Sequence, residues 1–364
     1  MSAKNVYFFS KETTDGNKDL KELIGGKGAN LAEMCNIGLP IPPGFTVTTD
    51  VCKIYYENNK SYPDHIRTEV EENLKKMEEL LGKKLGDPKD PLLVSVRSGA
   101  AISMPGMMDT VLNLGLNDES VAGLAAVSEN DRFAYDSYRR FIQMYGDVVL
   151  GMKPEKEGDE DPFEVIIDQL KEEKGIQSDA ELTVDDLKTL ISQFKAAVKQ
   201  VTGKDFPTDP LEQLWGGIDA VFNSWNTDRA VYYRRLNQIS EDLGTAVNVQ
   251  AMVYGNMGSN SATGVAFTRD AATGENLFNG EYLIDAQGED VVAGTRTPQQ
   301  ITKEGSLRWA KLQGVSEEDR LKDFPSLEEA MPKMYQELFD IQKKLETYYT
   351  DMQDLEFTIQ DGVM

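Results

Sequence analysis

Histidine is almost missing from this chain: His65 stands alone in 364 residues, and cysteine is limited to Cys35 and Cys52. A zinc site built from imidazole and thiolate ligands is therefore improbable, and any metal should be a hard cation held by carboxylates. Two cysteines cannot make a disulfide framework, and both fall in segments that read as structured, so packing is their expected role. His65 lies at a predicted helix start, Tyr62-Pro63-Asp64-His65, where a surface or capping role outweighs catalysis. Cations are scarce as well. The chain carries 38 Lys and Arg against 62 Asp and Glu, a net charge of −24. Such a balance disfavours nucleic-acid or anionic-membrane binding. It also gives weight to any Lys or Arg beside glycines, because an acidic protein that binds a polyanion must gather its few cations locally. No apolar run reaches membrane-spanning length, and the first 18 residues show neither a signal-peptide h-region nor an Arg-rich transit pattern. A cytoplasmic location is the resulting expectation.

What is present falls into three parts. Residues 1–116 alternate strand and helix signals: strands at Asn5–Ser10 and Gly44–Thr48, a helix over Ala29–Ile37 and another capped by Thr49 or Asp50. Ile66, Val70, Leu74, Met77 and Leu81 recur at helical spacing and stop at Gly82, while Leu92–Val96 reads as a buried strand. Residues 117–243 read as helical, with a charged break at 153–161, a cap at Thr183 with Asp186, and Asp209-Pro210 opening a helix. The end of this stretch is expected to pack back on the first lobe. From 244 to 364 the period becomes that of strands, interrupted by one long helix carrying Met334, Leu338, Ile341, Leu345 and Tyr348 on a stripe. The fold class is α+β with a helical insertion, and the layout suits a cleft between two lobes.

Four segments carry residues suited to chemistry. Gly25-Gly26-Lys27-Gly28 directly precedes the predicted helix, so backbone N–H groups, the helix N-terminus and the Lys27 charge could all meet a phosphate. It fits neither the P-loop nor the dinucleotide fingerprint, and a Gly-rich turn with a surface lysine accounts for it equally. Arg97 ends a strand and is followed by Ser98 and Gly99, a placement that could hold phosphate oxygens bidentately. Gly106 and Met108 follow in a loop, Ser103–Thr110, that could cover a ligand, although its methionines also suit a core. Arg139 and Arg140 sit within a helix, one placed to face a cleft and the other solvated. In Gly255–Thr268 a Gly/Ser/Asn-rich turn joins two strands. It is either an ordinary hairpin or a set of N–H groups closing on phosphates with Thr263, after a strand that presents Met252 to a base. In Met352–Ile359, apolar Leu355, Phe357 and Ile359 alternate with Asp354, Glu356 and Thr358. Residues two apart on a strand share a face at about 6.5–7 Å, so Asp354 and Glu356 could converge on Mg²⁺ bridging ATP phosphates. An acidic outer face of a half-exposed strand is the plainer alternative. Glu289 and Asp290 could add a carboxylate.

Together and in this order, LIGGKGANLAEM, LPIPPGFTVTT, DPLLVSVRSGA, SMPGMMDTVLNLGLND, RFAYDSYRRFIQMY, GTAVNVQAMVYGN, TGVAFTRD, GEYLIDAQGEDVVAG and DMQDLEFTI closely resemble the nucleotide-binding domain of the pyruvate, phosphate dikinase family. The resemblance spans nearly the whole chain from about residue 20. It implies a two-lobed ATP-grasp-type fold binding MgATP. It also implies phosphate contacts from Lys27, Arg97, Arg140 and Thr263, a covering loop at Gly106 and Met108, and metal binding by Asp354 and Glu356, with Glu289 and Asp290 as acids of the same site. In that family the domain passes a pyrophosphoryl group from ATP to a histidine on a mobile domain. Phosphate then splits it, and the phosphohistidine domain swings to a barrel that interconverts pyruvate and phosphoenolpyruvate.

Two departures qualify the match. Ala101 stands where some members carry a second arginine, which plant-like members also lack. The sequence stops at Asp361-Gly362-Val363-Met364, before the Gln- and Arg-containing strand that completes the family's nucleotide site, and His65 matches no acceptor motif. The expectation is a monomeric phosphotransferase domain that binds ATP with Mg²⁺ and needs the histidine domain and barrel for turnover. A phosphoenolpyruvate synthase-type domain, using water in place of phosphate, and a non-catalytic nucleotide-binding module are the alternatives.

Overall fold

The computed structural model describes residues 4–154, 160–294 and 296–364, without the side chains of Glu289, Val292 and Ala293. The charged break at 153–161 therefore lies largely outside the described residues. The chain divides into two compact units, 1–252 and 253–364.

In the first unit, strands β1 (Val6–Phe9), β2 (Gly44–Val47), β5 (Val94–Ala100), β6 (Thr110–Leu114) and β7 (Thr245–Ala251) form a sheet in the order β1-β2-β7-β5-β6. Every neighbouring pair is antiparallel. A short parallel pair, β3 (Lys84–Leu85) and β4 (Pro91–Leu92), precedes β5. All seven residues of β7 are buried, as a central strand covered on both faces requires. This strand answers the hairpin reading of 255–268: β7 pairs with β2 and β5, not with the strand that follows it. It also places 245–251 in the first unit, where the sequence division began its last lobe at 244.

Around the sheet lie α1 (Lys21–Asn36), α2 (Thr49–Glu57) and α3 (Asp64–Leu81), then α4 (Ser120–Ser128), α5 (Asp131–Val148), α6 (Pro162–Lys174), α7 (Val184–Thr202), α8 (Pro210–Ser224) and α9 (Asp228–Leu236). The caps explain their limits. Asp161, Thr183 and Asp209 each accept a backbone N–H at a helix start, and Gly82, Gly175 and Gly203 close helices in the left-handed conformation. At α2 the expectation fails. Thr48 holds the cap position with no side-chain bond, and the Thr49 hydroxyl instead donates to the carbonyls of Glu22 and Leu23, at 2.9 and 3.3 Å. Those carbonyls belong to α1, just before it kinks at Gly25, where the regular ladder is interrupted and a substitute donor is needed. His65 is exposed in the first turn of α3, and Cys35 and Cys52 are buried free thiols, both raised to about 11 by burial.

The second unit holds β8 (Ala262–Phe267), β9 (Asn279–Ile284), α10 (Gly288–Ala293), β10 (Gln299–Gln300), α11 (Lys303–Gln313), α12 (Glu317–Asp323), α13 (Leu327–Ala330), α14 (Pro332–Tyr349) and β11 (Asp354–Ile359). Its sheet runs β10-β9-β8-β11, antiparallel throughout. One face carries Ala262, Ala266, Tyr282, Phe357 and Ile359, buried against Met334 and Leu338 of α14. Burial of that apolar face fixes the register, because a slip of one residue would turn Asp354 and Glu356 into the core. Arg320, fully buried, ties α12 to α13 through the carboxylates of Glu317 and Glu329, at 2.7–2.9 Å.

Candidate functional site

In the first unit the glycine segment is built into the helix rather than placed before it. Gly25 breaks α1 at φ 70°, ψ 168°, and Gly26, Lys27 and Gly28 form the first turn after the break. Two glycines are there for lack of space. A Cβ on Gly25 would stand 1.5 Å from the Gly99 carbonyl oxygen, and one on Gly28 would stand 2.8 Å from the Thr46 hydroxyl. The turn is thus laid against β5 at Gly99, two residues beyond Arg97, and against β2 at Thr46. Lys27 projects on the exposed side of this turn, and Arg97 is half-buried.

Register places Arg97 in a row across four strands: Thr46 opposite Asn248, Asn248 opposite Arg97, Arg97 opposite Thr110. Opposed residues share a face, so this row forms the floor under the glycine turn. Thr46 donates to the Asn248 amide oxygen at 2.8 Å, and the amide nitrogen has no hydrogen-bond partner among the described residues. The sequence reading missed both. A polar Asn248 between Val247 and Val249 on a wholly buried strand was the available signal.

The loop 101–109 leaves Ile102, Ser103, Pro105 and Gly106 exposed and turns back by a Met107 N–H bond to the Met104 carbonyl, at 3.1 Å. Gly106 sits at its apex with φ 72° and open space around it. Met104 is core, packed with Trp225, Ala230 and Ile239, while Met107 and Met108 lie at the edge of that cluster. Arg140 is half-buried on α5 and donates to Asp136 at 3.0 Å. Its neighbour Arg139 is not solvated, contrary to the sequence reading. It is buried and bonds the other Asp136 oxygen at 2.7 Å. Burial would raise the Asp136 carboxyl, but the Arg139 and Arg140 charges override it and hold the group below its ordinary value. Met252 follows β7, half-buried, its N–H bonded to the Leu93 carbonyl at 2.9 Å.

In the second unit, the face of the sheet opposite the core carries Thr263, Asp354, Glu356 and Thr358. Thr263 pairs with Thr358, Val265 with Glu356, and Phe267 with Asp354. Asp354 and Glu356 are both exposed. Glu281, opposite Val265 on β9, extends the same row and accepts from Gln300 at 3.0 Å. Other expected contributors are engaged elsewhere. The Thr263 hydroxyl donates to the Phe357 carbonyl at 3.2 Å. In the Gly/Ser/Asn turn, the Gly258 N–H is taken by Asp285 at 3.1 Å and the Ser261 N–H by the Gly258 carbonyl at 3.0 Å, so these two donors serve the turn's own shape. Asp290 accepts the Gln287 N–H at 2.7 Å and caps α10. The Glu289 side chain lies outside the described residues. Among the described residues no group of three metal-ligating side chains is placed to hold an ion.

A lysine on a glycine turn and an arginine on the strand beneath it suit a polyphosphate in one unit, and paired carboxylates suit a hard cation in the other. A sequence model of a family described as "Pyruvate phosphate dikinase, AMP/ATP-binding domain" matches residues 21–66 and 61–364. The class of protein is therefore a nucleotide-binding domain of mixed helix and sheet. The chain belongs to the pyruvate phosphate dikinase AMP/ATP-binding domain family. It is 53% identical over 361 residues to a pyruvate, phosphate dikinase of Clostridium symbiosum and 51% identical over 360 residues to one of Rhizobium meliloti. In both cases 99% of this chain aligns with 38% of the relative. A chloroplastic pyruvate, phosphate dikinase of Flaveria pringlei is 50% identical over 359 residues, 34% of its length. The chain thus spans well under half the length of these relatives. No described helix is long and apolar enough to cross a membrane.

Proposed function

We propose that this chain is an ATP-grasp-type MgATP-binding domain acting as the pyrophosphoryl donor of a pyruvate, phosphate dikinase. In the full reaction, ATP, pyruvate and phosphate give AMP, phosphoenolpyruvate and pyrophosphate. The domain's share is to present the ATP pyrophosphoryl group to a histidine on another domain, whose imidazole nitrogen forms the new bond to phosphorus as AMP leaves. Phosphate then takes the terminal phosphoryl group as pyrophosphate. The carrying observation is the fit of the Gly25–Gly28 turn onto Gly99, which joins the Lys27 turn to the strand of Arg97. Lys27 and Arg97 bind and orient phosphate oxygens, Arg140 adds a cation held in place by Asp136, the Gly106–Met108 loop excludes water, and Met252 contacts the base. Thr263 is a further phosphate contact once its hydroxyl turns from the Phe357 carbonyl.

Asp354 and Glu356 fit a Mg²⁺ ion. They are exposed oxygen donors on one face, and Mg²⁺ bound to a nucleotide needs only one or two carboxylates, the rest of its shell being water and phosphate. Glu289 and Asp290, the acids the family resemblance assigns to the same site, add negative charge there. When bound, the ion would neutralise charge on the phosphate oxygens. The domain works in the cytoplasm, as a monomer when separate from the histidine domain and barrel. Supplying the histidine domain in trans tests the reading: AMP should form from MgATP, and the double variant Asp354→Asn, Glu356→Gln should abolish it. Undiminished transfer by the double variant would overturn the metal assignment. A wild-type chain that binds MgATP yet transfers nothing would overturn the donor role.

A further inference from the structure

The loop 101–109 is held unevenly. Its apex is exposed and unpacked, while its base is fastened to α8 and α9. Arg229, at the start of α9, forms an ion pair with Asp109 and also donates its Nε–H to the Met107 carbonyl at 3.2 Å. A planar guanidinium makes the two bonds through separate nitrogens held in one rigid fork, whereas a lysine offers a single nitrogen. Beside it Met104 is buried on Trp225, and the Met108 sulfur lies 3.8 Å from the Ser224 hydroxyl, which donates to the Val221 carbonyl at 2.7 Å. Trp225 is in turn held by Arg234, whose guanidinium stands 4.0 Å from its ring centre.

We infer that Arg229, with Asp109, is a positioning residue that fixes the base of this loop so that only the tip around Gly106 moves to cover nucleotide phosphates. The inference rests on the MgATP reading above. Simple stabilisation is a poor explanation for the pair, because the Arg229 and Asp109 side chains are 42% and 21% exposed and an ion pair in that setting adds little to folding. What it supplies is order in a segment that must be in place before a ligand arrives. If removing the clamp lowers the fraction of loops in the competent arrangement to about one tenth, apparent MgATP affinity falls about tenfold.

Titration of the chain with MgATP tests this. Arg229→Ala and Asp109→Ala should each weaken binding about five- to tenfold, and the double variant should be no worse than either single. Arg229→Lys, which keeps the charge and loses the fork, should restore binding only in part. Thermal midpoints should stay within about 2 °C of wild type, the small change an exposed pair allows. Additive losses, or single variants within about twofold of wild type while Arg97→Ala weakens binding more than about tenfold, would overturn the clamp. If Arg97→Ala also binds normally, the nucleotide reading fails instead.

Discussion

Replacing Gly25 by alanine probes the join between the Lys27 turn and the Arg97 strand. At φ 70°, ψ 168° the backbone occupies a region nearly confined to glycine, and an alanine held there costs about 1–3 kcal/mol. The added Cβ would also lie 1.5 Å from the Gly99 oxygen and 2.4 Å from its carbon, so the turn must lift from β5 by roughly 1.5 Å. A shift of about 1 Å in groups that position a reacting ligand can reduce activity about a hundredfold. Gly25→Ala should therefore destabilise the first unit by about 2–4 kcal/mol and weaken MgATP binding at least about tenfold. Gly82→Ala is the control. It has φ 65°, ψ 22° and nothing within 4 Å, so about 1 kcal/mol of stability should go with no change in binding. Urea unfolding and calorimetric titration read the two effects separately. A Gly25→Ala protein no less stable than Gly82→Ala, with wild-type affinity, would refute the reasoning.

Other consequences concern stability. Arg320→Met removes a fully buried cation from Glu317 and Glu329 and should destabilise the second unit by about 3 kcal/mol in urea unfolding. Hydrogen bonds from Arg320 outweigh burial and hold the Glu329 carboxyl down at about 2, so its stabilising effect is present above the ordinary value of 4.5 and lost as pH falls through 2. The gap between wild type and Arg320→Met should accordingly shrink below about pH 4.5. Asp147 behaves oppositely. Burial, with Asp161 nearby, pushes its carboxyl up to about 7, and one of its oxygens is buried without a partner. Stability is then greatest below the ordinary value of 3.8 and declines as pH rises through about 7. Asp147→Asn should raise the thermal midpoint by an amount that grows over this range, and a pH-independent difference would contradict the assignment.

Local order was legible wherever one interaction dominated. The acidic strand was found because Leu355, Phe357 and Ile359 alternate with Asp354, Glu356 and Thr358, and the structure buries Phe357 and Ile359 on the core face. Helix ends at Gly82, Thr183 and Asp209 followed from caps, which act within a few residues. What depended on distant partners was not legible. The hairpin reading of 255–268 rested on sequence proximity, whereas β7 is claimed by β2 and β5, about 200 and 150 residues earlier. The burial of Arg139 follows from Asp136, which one helical turn places under both arginines. Thr46 and the Arg229–Asp109 pair find their partners only through the fold, and nothing in their local sequence marks them, whereas Asn248 stands out as a polar residue between Val247 and Val249.

Calorimetric titration of the chain with ATP and Mg²⁺, for wild type and Arg97→Ala, bears most directly on the proposed site. The expected result is saturable binding of one MgATP by wild type and a loss of about 1.5–3 kcal/mol in Arg97→Ala, the range of a hydrogen bond to a charged group. Equal affinity in the two proteins, or no binding by folded wild type, would contradict it.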